Sequence, residues 1–474
     1  MSGSTTMTTP TRRSVVTALA SLAGVAAPLS CSAGPQSSTT SAGPQSSTTS
    51  AEAPEVLIVG AGASGLAAAA ALISAGRRVR ILEARGRIGG RVYTTNAWPQ
   101  LPIDLGASWI HGNKGNPVTA LAAKAGARTH ATSYDSSIEL VAPTLAGLDS
   151  PNTARWERVL ERALLAVPDS GPDLSVDAAV QRQLKGVTLS AVERADLGFH
   201  LDSAISTEWG ATPELVSART VEDGKEYAGD DLLLPDGYGK VMSSMARGIP
   251  VQLNTPVTSI HKDAQGVRVR AGGVDHRAAA VIVTVPLGVL KAGTLTVEPA
   301  RSPAALAAVK GVGVGVLSKT FLRFDRVFWP DDVDWIGYVG ERPGHWGQWL
   351  SLAPLGAPVL LGFNTGAHGR AVEALSEKAV IDEAYASLRG MFGAKARRPL
   401  QALTSAWSRD QWARGSYSYN SVGTTRADRV ALSRPTGDRI FWAGEATEPD
   451  YHSTVHGAVL SGRRAAAQVL ASLP

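Results

Sequence analysis

Cysteine is almost absent: the chain of 474 residues has one, Cys31. A disulfide framework and any zinc site built on cysteine pairs are thereby excluded. Histidine offers no substitute in the sequence. His452 and His456 stand four apart, with neither an HExxH pattern nor a cysteine beside them, so no metal site is read here. A strong excess of one charge is missing too. The formal net charge is +5, and with Arg12 and Arg13 set aside the rest carries +3, too mild for a nucleic-acid partner. Nor is there a long hydrophobic run; the apolar stretch from Val15 to Leu29 is short for a membrane span. What is present, 44% hydrophobic and 18% charged residues, suits a globular chain with two packed domains.

The N-terminus reads as an address. Thr11-Arg12-Arg13-Ser14-Val15-Val16 and the small, apolar residues after it form a twin-arginine signal, which implies export in the folded state. Cys31 follows directly, as a lipidated cysteine does, although Pro28 occupies the place where a lipobox has leucine. Lipidation of Cys31, the only membrane attachment considered, and simple cleavage with release both stay open. Residues 32–40 and 41–49 repeat SAGPQSSTT, a polar linker with nothing to bury, so folded structure is expected from about Ala53.

Val56-Leu57-Ile58-Val59 is a strand-length apolar run leading into Gly60-Ala61-Gly62-Ala63-Ser64-Gly65 and an alanine-rich helical stretch. Strand, tight turn and helix in this order cradle a pyrophosphate. Gly60, Gly62 and Gly65 permit the turn, close backbone approach and close helix packing, while the helix N-terminus favours negative charge. A second strand, Val79 to Leu82, ends in Glu83, whose carboxylate can accept from both ribose hydroxyls. The segment Glu83-Ala84-Arg85-Gly86-Arg87-Ile88-Gly89-Gly90-Arg91 then supplies a second glycine turn, at Gly90, with Arg85 and Arg91 placed for phosphates. Nicotinamide folds do not need that turn, so the dinucleotide is read as FAD. With the lone cysteine far upstream of the folded part, no thiol tether is available and the cofactor is expected to be non-covalent. The arginine cluster from Arg77 to Arg91 belongs beside this motif.

Together with Asp104-Leu105-Gly106-Ala107-Ser108-Trp109-Ile110-His111-Gly112 and the stretch Phe441 to Gly462, this block resembles the flavin amine oxidase family, nearest to polyamine oxidases and the oxidase domain of lysine-specific histone demethylases. The resemblance spans nearly everything after residue 53. It implies an α/β fold in which a discontinuous Rossmann-type FAD-binding domain is paired with a mixed α+β substrate domain, and the flavin lies where they meet. Ser64, Glu83, Arg85 and Arg91 are implied on the adenosine and pyrophosphate side, and Ser108 and Trp109 near the flavin. Gly444, Glu445, Thr454 and Val455 are implied as the second half of the cradle. Val257 resembles the strand residue that meets adenine through its backbone, although an ordinary buried valine reads the same way.

The resemblance also implies the chemistry. Lys319, after the glycine-valine alternation 311–316, resembles the family's lysine that holds a water near flavin N5; without the motif it would read as a solvent-facing strand residue. His111 is implied in substrate binding or proton handling. Trp407 and the run Trp412 to Tyr419 resemble the segment lining the flavin's substrate face, with Tyr417 as an aromatic wall and Thr454 where some relatives have a second aromatic. Glu208 falls roughly where relatives place a carboxylate for a distal ammonium, and Ser453 is assigned to the substrate side. Glu222, Asp223 and Glu226 are candidates for the entrance.

The FAD domain is expected from segments 53–115, 235–295 and 405–474, with the substrate domain from 116–234, mainly helical, and 296–404, with strands and a helix around 371–392. The reaction expected is oxidation of an amine, with polyamines foremost, using oxygen and water to give aldehyde, shorter amine and hydrogen peroxide. An L-amino-acid or monoamine oxidase, and an exported flavin-bearing amine-binding lipoprotein, remain as alternatives.

Overall fold

The computed structural model describes residues 55–473. The twin-arginine signal, Cys31, the linker and the expected start at Ala53 lie outside them. No helix among the described residues is long and apolar enough to cross a membrane.

Five short strands form an all-parallel sheet in the spatial order Ile440–Trp442, Ala280–Val283, Val56–Val59, Val79–Leu82 and Val251–Gln252. Val56–Val59 and Ala280–Val283 are buried at every position, which is why they read as continuous apolar runs: a parallel sheet is covered on both faces. One face carries the helices Ala63–Ser74 and Val455–Ser472, whose apolar residues share a core with the strands. These helices touch through small residues; a Cβ on Gly462 would come within 2.1 Å of the Ser64 carbonyl. The hydroxyls of Ser64 and Ser461 are 3.1 Å apart. The two ends of the described chain are thus joined at the site where the dinucleotide turn begins.

A second, six-stranded sheet runs Gln401–Thr404, Leu317–Arg323, Val359–Thr365, Gln348–Ser351, Trp335–Val339 and Ser137–Val141, antiparallel except for its last pair. Its outer face is backed by the helix Glu377–Phe392 and the buried indoles of Trp346 and Trp349. The helix expected around 371–392 is two helices, Gly366–Val372 and Glu377–Phe392. The break falls at Ser376, whose hydroxyl accepts from Ala379 N–H as an N-cap. Ahead of the break, the Glu373 carboxylate turns away to accept the N–H groups of Trp407 and Ser408. Residues 116–234 are mostly helical but also supply strands. His130–Thr132 and Asp231–Leu233 build a three-stranded sheet with Trp109–Ile110.

Candidate active site

Between the two sheets lies a cavity of about 2130 Å³, roughly twice the upper size usual for a small-molecule pocket. It runs from the ends of the parallel strands, past Lys319, to a wall of aromatic and acidic side chains.

At the strand end the backbone is packed so closely that glycine is obligatory at some positions and not at others. A Cβ on Gly65 would meet the Gly60 carbonyl at 2.0 Å, whereas one on Gly62 meets nothing within 4 Å and would project into open space. Gly90 holds a positive φ of 58° beside Gly62. Glu83 is buried, its carboxylate accepting from Ala61 N–H at 2.7 Å and Arg85 N–H at 2.8 Å. Arg85 pairs with Asp410 at 2.8 Å, and Val257 lines the same end. Glu445 is a buried hub. It receives Arg91 at 2.8 Å, the Ser418 hydroxyl at 2.6 Å and Ser453 N–H at 3.1 Å. Burial raises its pKa, but Arg91 leads the groups that outweigh it, and the net is below the usual range. Gly444 N–H donates to Ser461, and Thr454 caps the last helix by accepting Gly457 N–H at 2.9 Å. Val455, at the first turn of that helix, faces the cavity.

Lys319 sits on the strand Leu317–Arg323, paired with Phe363, which is paired in turn with Gln348. Direct cross-strand partners share a face, so Lys319, Phe363 and Gln348 form one line on the cavity wall. The lysine is 5% exposed, not solvent-facing. Its Nζ donates to the carbonyls of Asp104 at 2.6 Å and Gly106 at 2.9 Å, and to the Ser108 hydroxyl. Burial lowers its pKa to about 7 against the opposing charge of Asp104. Asp104 is pushed up to about 6, again by burial, although Thr94, Lys319 and Tyr238 N–H pull the other way. Trp407 closes this region, its indole N–H donating to the Leu105 carbonyl at 2.8 Å.

Beyond Lys319 the rings of His111, Trp109, Trp335 and Tyr134 follow one another, with centroids 6.4, 5.9 and 4.7 Å apart. His111 presents 56% of its side chain to the cavity and meets Asp231 at 3.2 Å. Burial lowers its pKa, but the hydrogen bond and charge of Asp231, with Glu208 and Glu226, outweigh this and leave it raised. Glu208 faces the same space and is raised by burial, with His111 opposing. Tyr417 stands there too, its hydroxyl donating to the Thr207 carbonyl at 3.2 Å. Glu222, Asp223 and Glu226 also line the cavity. Ser453 borders it, but its hydroxyl is committed to the Ser418 carbonyl, which ties the helix start to the neighbouring strand.

Residues 63–470 match the protein family described as flavin containing amine oxidoreductase. The chain belongs to the flavin amine oxidase family. Among its relatives, Polyamine oxidase 4 of Oryza sativa subsp. japonica is 32% identical over 440 residues, covering 88% of each chain. Lysine-specific histone demethylase 1 homolog 1 of the same organism is 32% identical over 446 residues, covering 88% of this chain and 52% of that one, so the chain spans about half the length of such relatives. A solved putrescine oxidase bound to putrescine superposes with a TM-score of 0.72 at 22% identity, over 88% of this chain and 99% of that chain, and shows the same fold.

The chain therefore has the two-domain α/β fold expected of a member of this family. Several groups on the cavity wall have no signal in the sequence. Asp231 reaches His111 only through the pairing of Trp109–Ile110 with Asp231–Leu233. Tyr134, Trp335, Phe363 and Gln348 arrive by sheet register, and Gln348 Nε2 is a buried donor without a protein partner. Tyr227 and Tyr451 stack at 4.7 Å, a second aromatic pair on the wall.

Proposed function

We propose that this amine oxidase is a polyamine oxidase that holds FAD without a covalent bond. The observation that carries the reading is that Lys319 and a group of acids, Glu208, Glu226 and Asp231, share one aromatic-lined cavity. A slender, multiply charged amine fits such a passage, with one nitrogen at the lysine end and a distal ammonium among the carboxylates.

The chain's residues suit FAD. Gly62 leaves room against the helix N-terminus for a pyrophosphate, Glu83 offers a carboxylate to a ribose, and the N-terminus of Val455–Ser472 opens on the opposite side. The described residues contain no cysteine, which supports a non-covalent cofactor. When bound, FAD supplies the acceptor for a hydride equivalent from the carbon beside nitrogen. Ser64, Gly65, Gly90, Arg85 and Arg91 hold the phosphate side, Val257 the adenine, and Gly444, Glu445, Thr454 and Val455 the far side. Trp109, Trp407 and Tyr417 exclude water and fix the substrate. Lys319, whose pKa burial lowers to about 7, is assigned the positioning of a water that assists imine hydrolysis or the use of oxygen. His111, kept basic by Asp231, handles the amine proton. The acids favour a distal cation over a carboxylate, and Arg85 and Arg91 are paired with Asp410 and Glu445, which disfavours an amino acid as substrate. The twin-arginine motif supports export, with Cys31 either lipidated or removed.

Anaerobic mixing of the yellow protein with spermidine, spermine, their acetylated forms, monoamines and amino acids tests this. Polyamines should bleach the flavin fastest, and air should then restore it with release of peroxide. Faster bleaching by monoamines or amino acids would sink the polyamine assignment, and no peroxide from any amine would sink oxidase turnover.

A further inference from the structure

The cavity extends past the passage from Lys319 to Glu208, as a side arm between two helical walls and the edge strand of the six-stranded sheet. One wall is the helix Thr153–Leu165, which turns Thr153, Glu157, Leu160, Glu161 and Leu164 toward the arm, positions that share one helical face. The other is the helical run from His200 to Glu208, which contributes His200, Ser203, Ala204 and Thr207 before Glu208 itself. A π-helical turn, Asp202–Ser206, lies within that run, a feature found disproportionately at functional sites. The edge strand Ser137–Val141 adds Ser137 and Glu139.

The protein leaves the polar groups of this arm unused. His200 is 8% exposed, and its Nε2 is buried with no hydrogen-bond partner. Burial lowers its pKa to about 4, with the charge of Asp196 opposing, so the ring is a neutral imidazole with one lone pair to offer. Glu157 and Glu161 stand one helical turn apart, their Cβ atoms about 5–6 Å from each other. Neither is held in an ion pair, and like charges at this spacing weaken a helix. Leu160 and Leu164, both buried, lie on the same face. The cations that also line the cavity are engaged: Arg219 donates to the carbonyls of Pro168, Gly171 and Pro172, and Lys225 pairs with Asp450.

Carboxylates one turn apart with apolar side chains beside them match a ligand that alternates cations and methylenes at the same period. In a linear polyamine, nitrogens separated by three methylenes are roughly 5 Å apart when the chain is extended. From Glu208 back to His200 the helical run covers about 12 Å, the length of two such units. An anionic or neutral chain would leave both carboxylates unpaired. Building on the polyamine reading above, we propose that the arm is a subsite for the far end of long linear polyamines. Glu157 and Glu161 pair with its outer ammonium groups, Leu160 and Leu164 lie along the methylenes, and His200 accepts from an inner nitrogen. Amines that end among the acids around Glu208 make no use of it.

Anaerobic rapid mixing of the flavin-loaded full chain with a triamine and with a pentaamine of aminopropyl units gives, for each, a half-saturating concentration and a limiting rate of flavin bleaching. Ser203→Trp places a bulky ring in the arm from an exposed position, and Glu157→Gln combined with Glu161→Gln removes the two charges without changing shape. Each variant should raise the half-saturating concentration of the pentaamine at least fivefold and that of the triamine less than twofold, with limiting rates, flavin spectrum and unfolding temperature unchanged. Equal changes for the two amines, or a pentaamine response unchanged in either variant, would overturn the arm and leave the polyamine reading standing. Bleaching by neither amine would overturn both.

Discussion

Lys319 spends three hydrogen bonds on the segment Asp104 to Ser108, and burial lowers its pKa to about 7. Replacing it tests both facts. Lys319→Met should retain flavin yet slow turnover or reoxidation roughly a hundredfold, the scale of a lost proton-handling group. Stopped-flow spectroscopy of the reduced protein mixed with oxygen measures this, and an unchanged rate removes the role. The same variant has a pH signature. The folded pKa of Lys319 is about 7, below the unfolded value of about 10.4, so the unfolded chain binds more protons in that window and wild-type stability gains as pH rises through it. The variant lacks that gain. Its unfolding temperature should drop relative to wild type between pH 7 and pH 9, and a constant difference would mean that the lysine is charged in the fold.

Elements in the dinucleotide half were legible because their signals are local. The strand Val56–Val59, the glycine turn and the helix Ala63–Ser74 occupy consecutive residues, and sterics alone dictate which glycine does what. That distinction is testable. Gly65→Ala would drive a Cβ into the Gly60 carbonyl and should prevent accumulation of folded protein, whereas Gly62→Ala adds its methyl to open space at a negative φ of −77°. Gly62→Ala should therefore unfold within about 1 kcal/mol of wild type as apoprotein but bind FAD at least tenfold more weakly. Denaturation and fluorescence titration of the two variants separate folding from binding; normal FAD affinity in Gly62→Ala would show that the pyrophosphate lies elsewhere. The substrate half was less legible at this scale. The single helix expected around 371–392 is divided by a serine cap and a buried carboxylate at Glu373.

Across the whole molecule, the sequence disclosed pieces but not the pairings that bring them together. Asp231 and His111 are separated by 120 residues and meet by strand register, as do Lys319 and Gln348 through Phe363. No local pattern encodes such meetings. They also create a charge distribution that net charge conceals: the chain is +5 overall, yet in the cavity lining Glu208, Glu222, Glu226, Asp230 and Asp231 outnumber the neighbouring Arg219 and Lys225. A cleft in which one sign prevails focuses field and draws in oppositely charged ligands at a rate that salt suppresses. Between about 0.01 M and 0.15 M ionic strength the screening length shrinks from roughly 30 Å to 8 Å. Over that range kcat/KM for spermidine should fall roughly tenfold, and for a monoamine of similar length much less, because steering scales with the number of ammonium groups. Steady-state assays with both amines across a salt series measure the two slopes. Equal slopes would mean that the acids serve the fold or a single amine rather than a polycation.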